Sequence, residues 1–230
     1  LLSEEYDTDK LPIFNIEEIN NLFLLDSTKE NPYSILGQGN ACNFTLEHKL
    51  LKGHNIHILY YNFKKDGKVK VTKTMIDKIK SLYDDNIFNS TDNIIIILNE
   101  EIKDTIKSLN NSLNLILKED NIDMTKINNN MKKYNINLNK KHFRNVFIFD
   151  INTLQYNILN HKFVPKHEII RNSDTIQEIL NDCNCTINQL PIISKDDPVS
   201  KVKLCVDGDL CKITRINKNS GESIYYRVCR

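Results

Sequence analysis

At 230 residues the chain is long enough for one large domain or two small ones, each with its own core. Hydrophobic residues make up 40% and charged residues 27%, ordinary for a soluble globular protein, and a net charge of +1 argues against a free-standing nucleic-acid binder, whose affinity comes from neutralising phosphates. The longest apolar runs, such as Ile94–Leu98, fall far short of the about 20 residues a membrane helix needs, and no secretory leader opens the chain, whose first residue, Leu1, points to a trimmed sequence.

In chain order, Asn15–Leu25 ("NIEEINNLFLL") reads as a short amphipathic helix with Ile16, Ile19, Leu22 and Phe23 on one face. Asn31–Gly39, with Pro32, Gly37 and Gly39, reads as a loop. Asn55–Phe63 is rich in β-branched and aromatic residues and reads as a strand. The Asp66-Gly67 step after it predicts a hairpin turn into Val69–Val71. "TKTMIDKIKSLYDD" sets Met75, Ile76, Ile79 and Leu82/Tyr83 at helical spacing. "NIIIIL" (Asn93–Leu98) is apolar on both faces, as in a sheet covered on two sides. A second helix carries Ile102, Ile106, Leu109, Leu113 and Ile116, and "NVFIFD" (Asn145–Asp150) is a second doubly buried strand. This alternation predicts an α/β fold, α+β overall, with a three-layer α/β domain over residues 55–160 behind a helical segment at 1–54. Lys118–Lys141 interrupts it; rich in Asn and Lys and poor in core formers, it reads as a flexible surface insertion.

A second unit, residues 161–230, follows. Asp174 with Gln177 three residues on suggests a capping box opening a helix. "LCKITRI" and "SIYYRVC", joined by "NKNSG", predict two strands of a small β-rich domain. From Pro198 onward seven bases (Lys201, Lys203, Lys212, Arg215, Lys218, Arg227, Arg230) outnumber three acids (Asp207, Asp209, Glu222).

Few residues suggest chemistry. The six cysteines (Cys42, Cys183, Cys185, Cys205, Cys211, Cys229) include no C-x-x-C pair, so they read as free thiols in a reducing, intracellular compartment rather than as zinc ligands. The Asp196-Asp197 pair lies between Pro191 and Pro198, but adjacent residues on an extended chain face opposite ways, so the Asp-Pro step reads as a turn and helix cap. Asp150 ends a buried strand, where α/β enzymes place active residues, yet no Gly-rich loop or second acid in register accompanies it. The histidines (His48, His54, His57, His142, His161, His167) form no recognisable motif, and the paired tyrosines Tyr60-Tyr61 and Tyr225-Tyr226 suit strand packing better than base stacking. Neither a catalytic nor a metal-binding residue is assigned.

The C-terminal blocks "HKFVPKHEII", "QLPIISKDDPVSK" and "GDLCKITRINKNSGESIYYRV" closely resemble the fifth-subunit family of DNA-directed RNA polymerases, shared by eukaryotic polymerases I, II and III and with an archaeal counterpart to its assembly domain. The matching positions are Val164, Pro165 and His167; Leu190, Pro191 and Ile193; Asp197, Pro198, Val199 and Lys201; Gly208, Asp209, Leu210, Lys212, Ile213 and Arg215; and Gly221, Tyr226 and Arg227. The upstream half follows more loosely the order of that family's α/β jaw domain. Ile192 stands where an arginine is usual, Leu204 where a glycine is usual, and the jaw loop is Ile102-Lys103-Asp104-Thr105.

The resemblance implies a non-catalytic subunit. Its C-terminal assembly domain would dock on the largest subunit through Pro165, His167, Leu190, Pro191, Asp197, Pro198, Lys201, Lys212, Arg215, Gly221, Tyr226 and Arg227. Its jaw domain would lie by downstream duplex DNA, with Lys103, Thr105 and Lys107 nearest the phosphates. It implies no cofactor in this chain, magnesium and zinc in other subunits, other polymerase subunits as partners and no membrane. The Asn/Ile/Lys bias points to an AT-rich genome, of a large DNA virus or a divergent protist. The expected location is then the nucleus if cellular, or host cytoplasm and virion if viral. Two rival readings are a metal-dependent nuclease-like enzyme built on Asp150 and a free transcription adaptor using the same docking domain.

Overall fold

The computed structural model describes residues 5–9, 11–24, 32–37, 39–61, 63, 71–119, 122–217 and 221–230. Two compact units emerge. One comprises residues 2–130 and 143–155, the other 131–142 and 156–230.

In the first unit, α1 (Ile16–Leu24) begins on a reciprocal cap: Asn15 Oδ1 accepts from the Glu18 N–H at 2.8 Å while Glu18 Oε2 accepts from the Asn15 N–H at 2.8 Å. The expected helix is present, and two residues of its apolar face, Ile16 and Ile19, are 81% and 44% exposed. The sheet starts before the expected boundary at Asn55. Strand β1 (Phe44–Glu47) pairs antiparallel with β2 (Asn55–Tyr60), which runs parallel to β3 (Asn93–Leu98), and β3 parallel to β4 (Val146–Asp150). Parallel neighbours need crossovers. These are supplied by α2 (Thr74–Asp84) between β2 and β3, and by α3 (Asp104–Glu119) and α4 (Thr125–Lys133) between β3 and β4. Alternation along β3 sends Ile94, Ile96 and Leu98 into one cluster with Leu59, Val146 and Ile148, where Met75, Ile79 and Leu82 of α2 and Ile106, Leu113 and Leu117 of α3 pack. The opposite face of β3, Ile95 and Ile97, is buried too, so the all-apolar strand is covered on both sides. Each such side chain contributes about 1.5–3 kcal/mol. The expected turn at Asp66-Gly67 lies outside the described residues. Val71 is in no strand; its N–H donates to Glu100 Oε2 at 3.0 Å.

The interruption at 118–141 departs from its expectation. Despite its polar composition it contains α4, started by Asp123 Oδ1 accepting from the Thr125 N–H at 2.9 Å and fixed by Ile127, which is fully buried.

The second unit is a four-stranded sheet in the order β5 (Lys166–Ile170), β7 (Leu210–Asn217), β8 (Gly221–Cys229), β6 (Ile192–Ile193). β5 and β8 each run antiparallel to β7, and β6 lies parallel to the end of β8. Helices α5 (Ser173–Asp182) and α6 (Pro198–Val202) fill the connections. The cap of α5 is Asn172, whose Oδ1 accepts from the Asp174 N–H at 2.9 Å, rather than Asp174 itself. The Gln177 side chain turns away to Asn181 instead of back toward the cap. Residues 135–139 lie along the start of α5: the Ser173 N–H donates to Asn137 O at 3.2 Å and Asn137 Nδ2 to Asp174 Oδ1 at 3.2 Å. No helix among the described residues is long and apolar enough to cross a membrane.

Candidate functional site

Strand alternation gives the C-terminal sheet two unlike faces. On one, Cys211 and Ile213 of β7, Cys229 of β8, Ile193 of β6 and Ile169 of β5 close around Cys205 as a small core. Two of its thiols are held toward the protonated form by their surroundings. A hydrogen bond with Cys229, and then burial, raise the pKa of Cys205, and burial pushes Cys211 up to about 11. On the other face, Leu210 and Val228 are buried at the strand ends. Beyond them the cross-strand pairs Lys212–Tyr226, Thr214–Ile224 and Ile216–Glu222 run toward the hairpin, with Ile192, Ile224 and Ile216 exposed. Lys212 Nζ lies 3.8 Å from Glu168 Oε2 on the neighbouring strand, beside the Lys166–Glu168 ion pair.

The expected docking residues divide between these faces. Lys212 and Tyr226 stand side by side on the open face, while His167, Arg215 and Arg227 belong to the core side. His167 Nδ1 donates to Pro165 O at 2.6 Å, which fixes the ring against the entry to β5. The Arg215 guanidinium lies 5.1 Å from the centre of the exposed Tyr225 ring, and Arg227 Nη1 donates to Ile192 O at 3.1 Å, tying β6 down. Gly221 opens β8 at φ +71°, a left-handed backbone that suits glycine.

The stretch around the acid pair is architecture. Asp197 Oδ1 accepts from the Val199 and Ser200 N–H groups at 2.9 and 3.3 Å, with Pro198 as the first residue of α6. Pro191 and Pro198 are exposed, Leu190 and Lys201 half-buried. The Asp196 N–H donates to Ser194 Oγ at 3.1 Å.

Sequence reasoning missed the centre of this unit, a buried node at Asp209. Its Oδ1 pairs with His142 Nε2 at 2.8 Å; its Oδ2 accepts from the Val206 N–H at 3.0 Å and lies 3.4 Å from Arg171 Nε. Arg171 also donates through Nη2 to Lys203 O at 2.9 Å, and His142 Nδ1 donates to Asn139 O at 3.1 Å. The node spans a bend in which Leu204 adopts φ +51° and Gly208 φ +83°. The position where the family usually shows glycine is thus a left-handed one, which costs a leucine about 1–2 kcal/mol. The acid inside "GD" was visible in the sequence, but its partners lie 38 and 67 residues upstream.

In the first unit Lys103, Thr105 and Lys107 lie at the start of α3. Lys103 and Thr105 are exposed, and the lysines stand beside acids: Lys103 Nζ is 3.7 Å from Glu101 and Lys107 Nζ 3.6 Å from Asp104. The local surface is therefore near charge balance. Asp150 is committed to its turn, Oδ1 accepting from the Asn152 N–H and side-chain amide, both at 2.9 Å. Among the described residues no three His, Cys, Asp or Glu side chains group as a metal site.

A second buried polar network sits where the parallel strands begin. Asp92 accepts from His57 Nε2 at 2.9 Å and from the Asn55 and Asn89 N–H groups at 2.8 and 3.0 Å. Burial alone would raise its pKa; these hydrogen bonds outweigh burial and lower it. His54 meets the Tyr6 hydroxyl at 3.2 Å, and burial followed by neighbouring His48 lowers its pKa to about 4. The network lies opposite the end where such sheets place catalytic residues, and it ties β2 to the residue before β3.

Residues 156–229 match the family described as RNA polymerase Rpb5, C-terminal domain. The DNA-directed RNA polymerase subunit Rpo5 of Methanosarcina barkeri is 40% identical over 74 residues, 32% of this chain and 94% of that protein. The Rpo5 subunits of Methanosphaera stadtmanae (39% over 77 residues, 34% of this chain and 99% of that protein) and Archaeoglobus fulgidus (36% over 75 residues, 33% and 97%) match similarly. With the matched blocks laid out on one folded sheet unit that spans nearly the whole of these relatives, the chain belongs to the Rpb5/Rpo5 family of DNA-directed RNA polymerase subunits.

Proposed function

We propose that this chain is a non-catalytic subunit of a multisubunit DNA-directed RNA polymerase, docking on the largest subunit through its C-terminal sheet. The carrying observation is that this sheet, with its short connections, accounts for nearly the full length of the Rpo5 relatives. The open face supplies suitable contact chemistry: Ile192, Ile224 and Ile216 for desolvation, Tyr226 as an anchor, and Lys212 with Glu168 at the edge. Ile192 replaces the family's usual arginine with apolar surface, so the partner surface facing it is expected to be less acidic. The first unit is the jaw near downstream duplex in this reading. Its Lys103, Thr105 and Lys107 surface adds little DNA affinity of its own, because the lysines are offset by Glu101 and Asp104. The magnesium and zinc of the assembled enzyme belong to other subunits.

The test is co-purification. The tagged chain should recover the largest polymerase subunit at one-to-one stoichiometry in 0.5 M salt, and Tyr226→Ala combined with Ile224→Asp should abolish that recovery. A folded chain that never enters the polymerase, or binds it only sub-stoichiometrically, refutes the proposal.

A further inference from the structure

The N-terminal segment of the first unit presents apolar side chains outward although it is held in place. Tyr6 is buried, pairs with His48 across a β-bridge and meets His54 at 3.2 Å. Downstream, α1 is closed by its Asn15–Glu18 cap and packs against the short turn Asn40–Cys42. Between and along these anchors Ile13 is 93% exposed and Ile16 81%, with Leu11, Phe14 and Ile19 also exposed. Ile16 and Ile19 stand one turn apart on α1, the i, i+3 spacing of helix anchors that lie in a groove, and the non-helical Leu11, Ile13 and Phe14 extend the same exposed apolar stretch upstream.

Charge selects the kind of groove. Residues 1–24 carry six acids (Glu4, Glu5, Asp7, Asp9, Glu17, Glu18) against one base (Lys10), a net of −5, which leaves +6 for the rest of this +1 chain. No basic residue stands in the last turn of α1. Helices that lie on membranes carry lysine and arginine on the polar face; this one would be repelled by anionic lipid and by nucleic acid. Two copies of the face would meet acid to acid. A protein groove with an apolar floor and a basic rim matches both features.

We propose that Leu11–Ile19 is a docking element that seats in an apolar groove bordered by lysine and arginine side chains on another protein subunit of the polymerase. This rests on the assignment of the chain to that enzyme, and extends it to a contact separate from the C-terminal sheet.

The experiment uses the assembled polymerase. The chain carrying Ile16→p-benzoylphenylalanine is incorporated and irradiated, and hydrogen exchange of α1 is compared between free chain and assembly. A nine-residue helix exchanges readily alone, so seating it should slow exchange at least about tenfold. The crosslink should map to another protein subunit at a segment rich in Lys and Arg. Ile16→Ser/Ile19→Ser, at exposed positions that leave the fold intact, should return exchange to the free rate while the chain stays incorporated. A crosslink to DNA, lipid or a second copy overturns the proposal, as does an incorporated chain whose α1 exchanges at the free rate. A chain that is not incorporated at all refutes the subunit assignment itself.

Discussion

Lowering the pH should loosen the first unit well before its carboxylates titrate, and His54 is the reason. Burial holds its folded-state pKa at about 4, against 6.5 in the unfolded chain. Between those values the unfolded state binds the extra proton, so stability falls as pH drops from about 6.5 to 4 and is flat above that window. At about 1.36 kcal/mol per unit the whole loss is about 3 kcal/mol, of which about 2 kcal/mol is spent by pH 5. Asp92 acts later and with the opposite origin: its folded pKa is lowered, so its stabilisation persists above 3.8 and disappears only below that value. Because the chain has two units, a global melt would mix their transitions. The suitable assay is hydrogen exchange of the β3 amides, Ile94–Leu98, corrected for intrinsic rates, from pH 7.5 to 4.5. His54→Gln should abolish most of the pH dependence over that range. An unchanged slope in the variant, or stability rising on acidification, would refute the reasoning. Tyr6 touches His54, so the segment carrying α1 should gain exchange over the same window.

Asp197→Ala should cost about 1 kcal/mol by removing the cap of α6, read as a lower urea midpoint for the C-terminal unit. His142→Ala strips a buried partner from Asp209 and should cost about 1.5–3 kcal/mol in the same assay, far more than Asn139→Ala on the adjoining exposed surface. At position 204 the φ of +51° makes Leu204→Gly more stable than Leu204→Ala by about 1 kcal/mol, the reverse of an ordinary helical site. With iodoacetamide at pH 8, exposed Cys183 should label within minutes, while Cys205, Cys211 and Cys229 stay protected until the unit unfolds.

Local periodicity made most elements legible. The five-residue apolar run Ile94–Leu98, short and β-branched, reads as a strand covered on both sides, as β3 is, and the Asp-Pro step reads as a helix start, as Asp197 begins α6. The family's motifs were legible as ordered blocks, but not their division between two faces of a sheet, which depends on pairing register. Composition misled at 118–141, where buried Ile127 anchors a helix in a polar stretch, and the amphipathic pattern of α1 did not reveal that Ile16 and Ile19 are exposed.

The sequence by itself determined the strongly patterned strands and helices and the family resemblance, because each of these is written in short-range order. Only the tertiary structure decided which isoleucines face water, that His142 and Arg171 share Asp209, and that Leu204 occupies a left-handed bend. Those depend on contacts between residues tens of positions apart, where burial and hydrogen bonding, not local propensity, set the free energy.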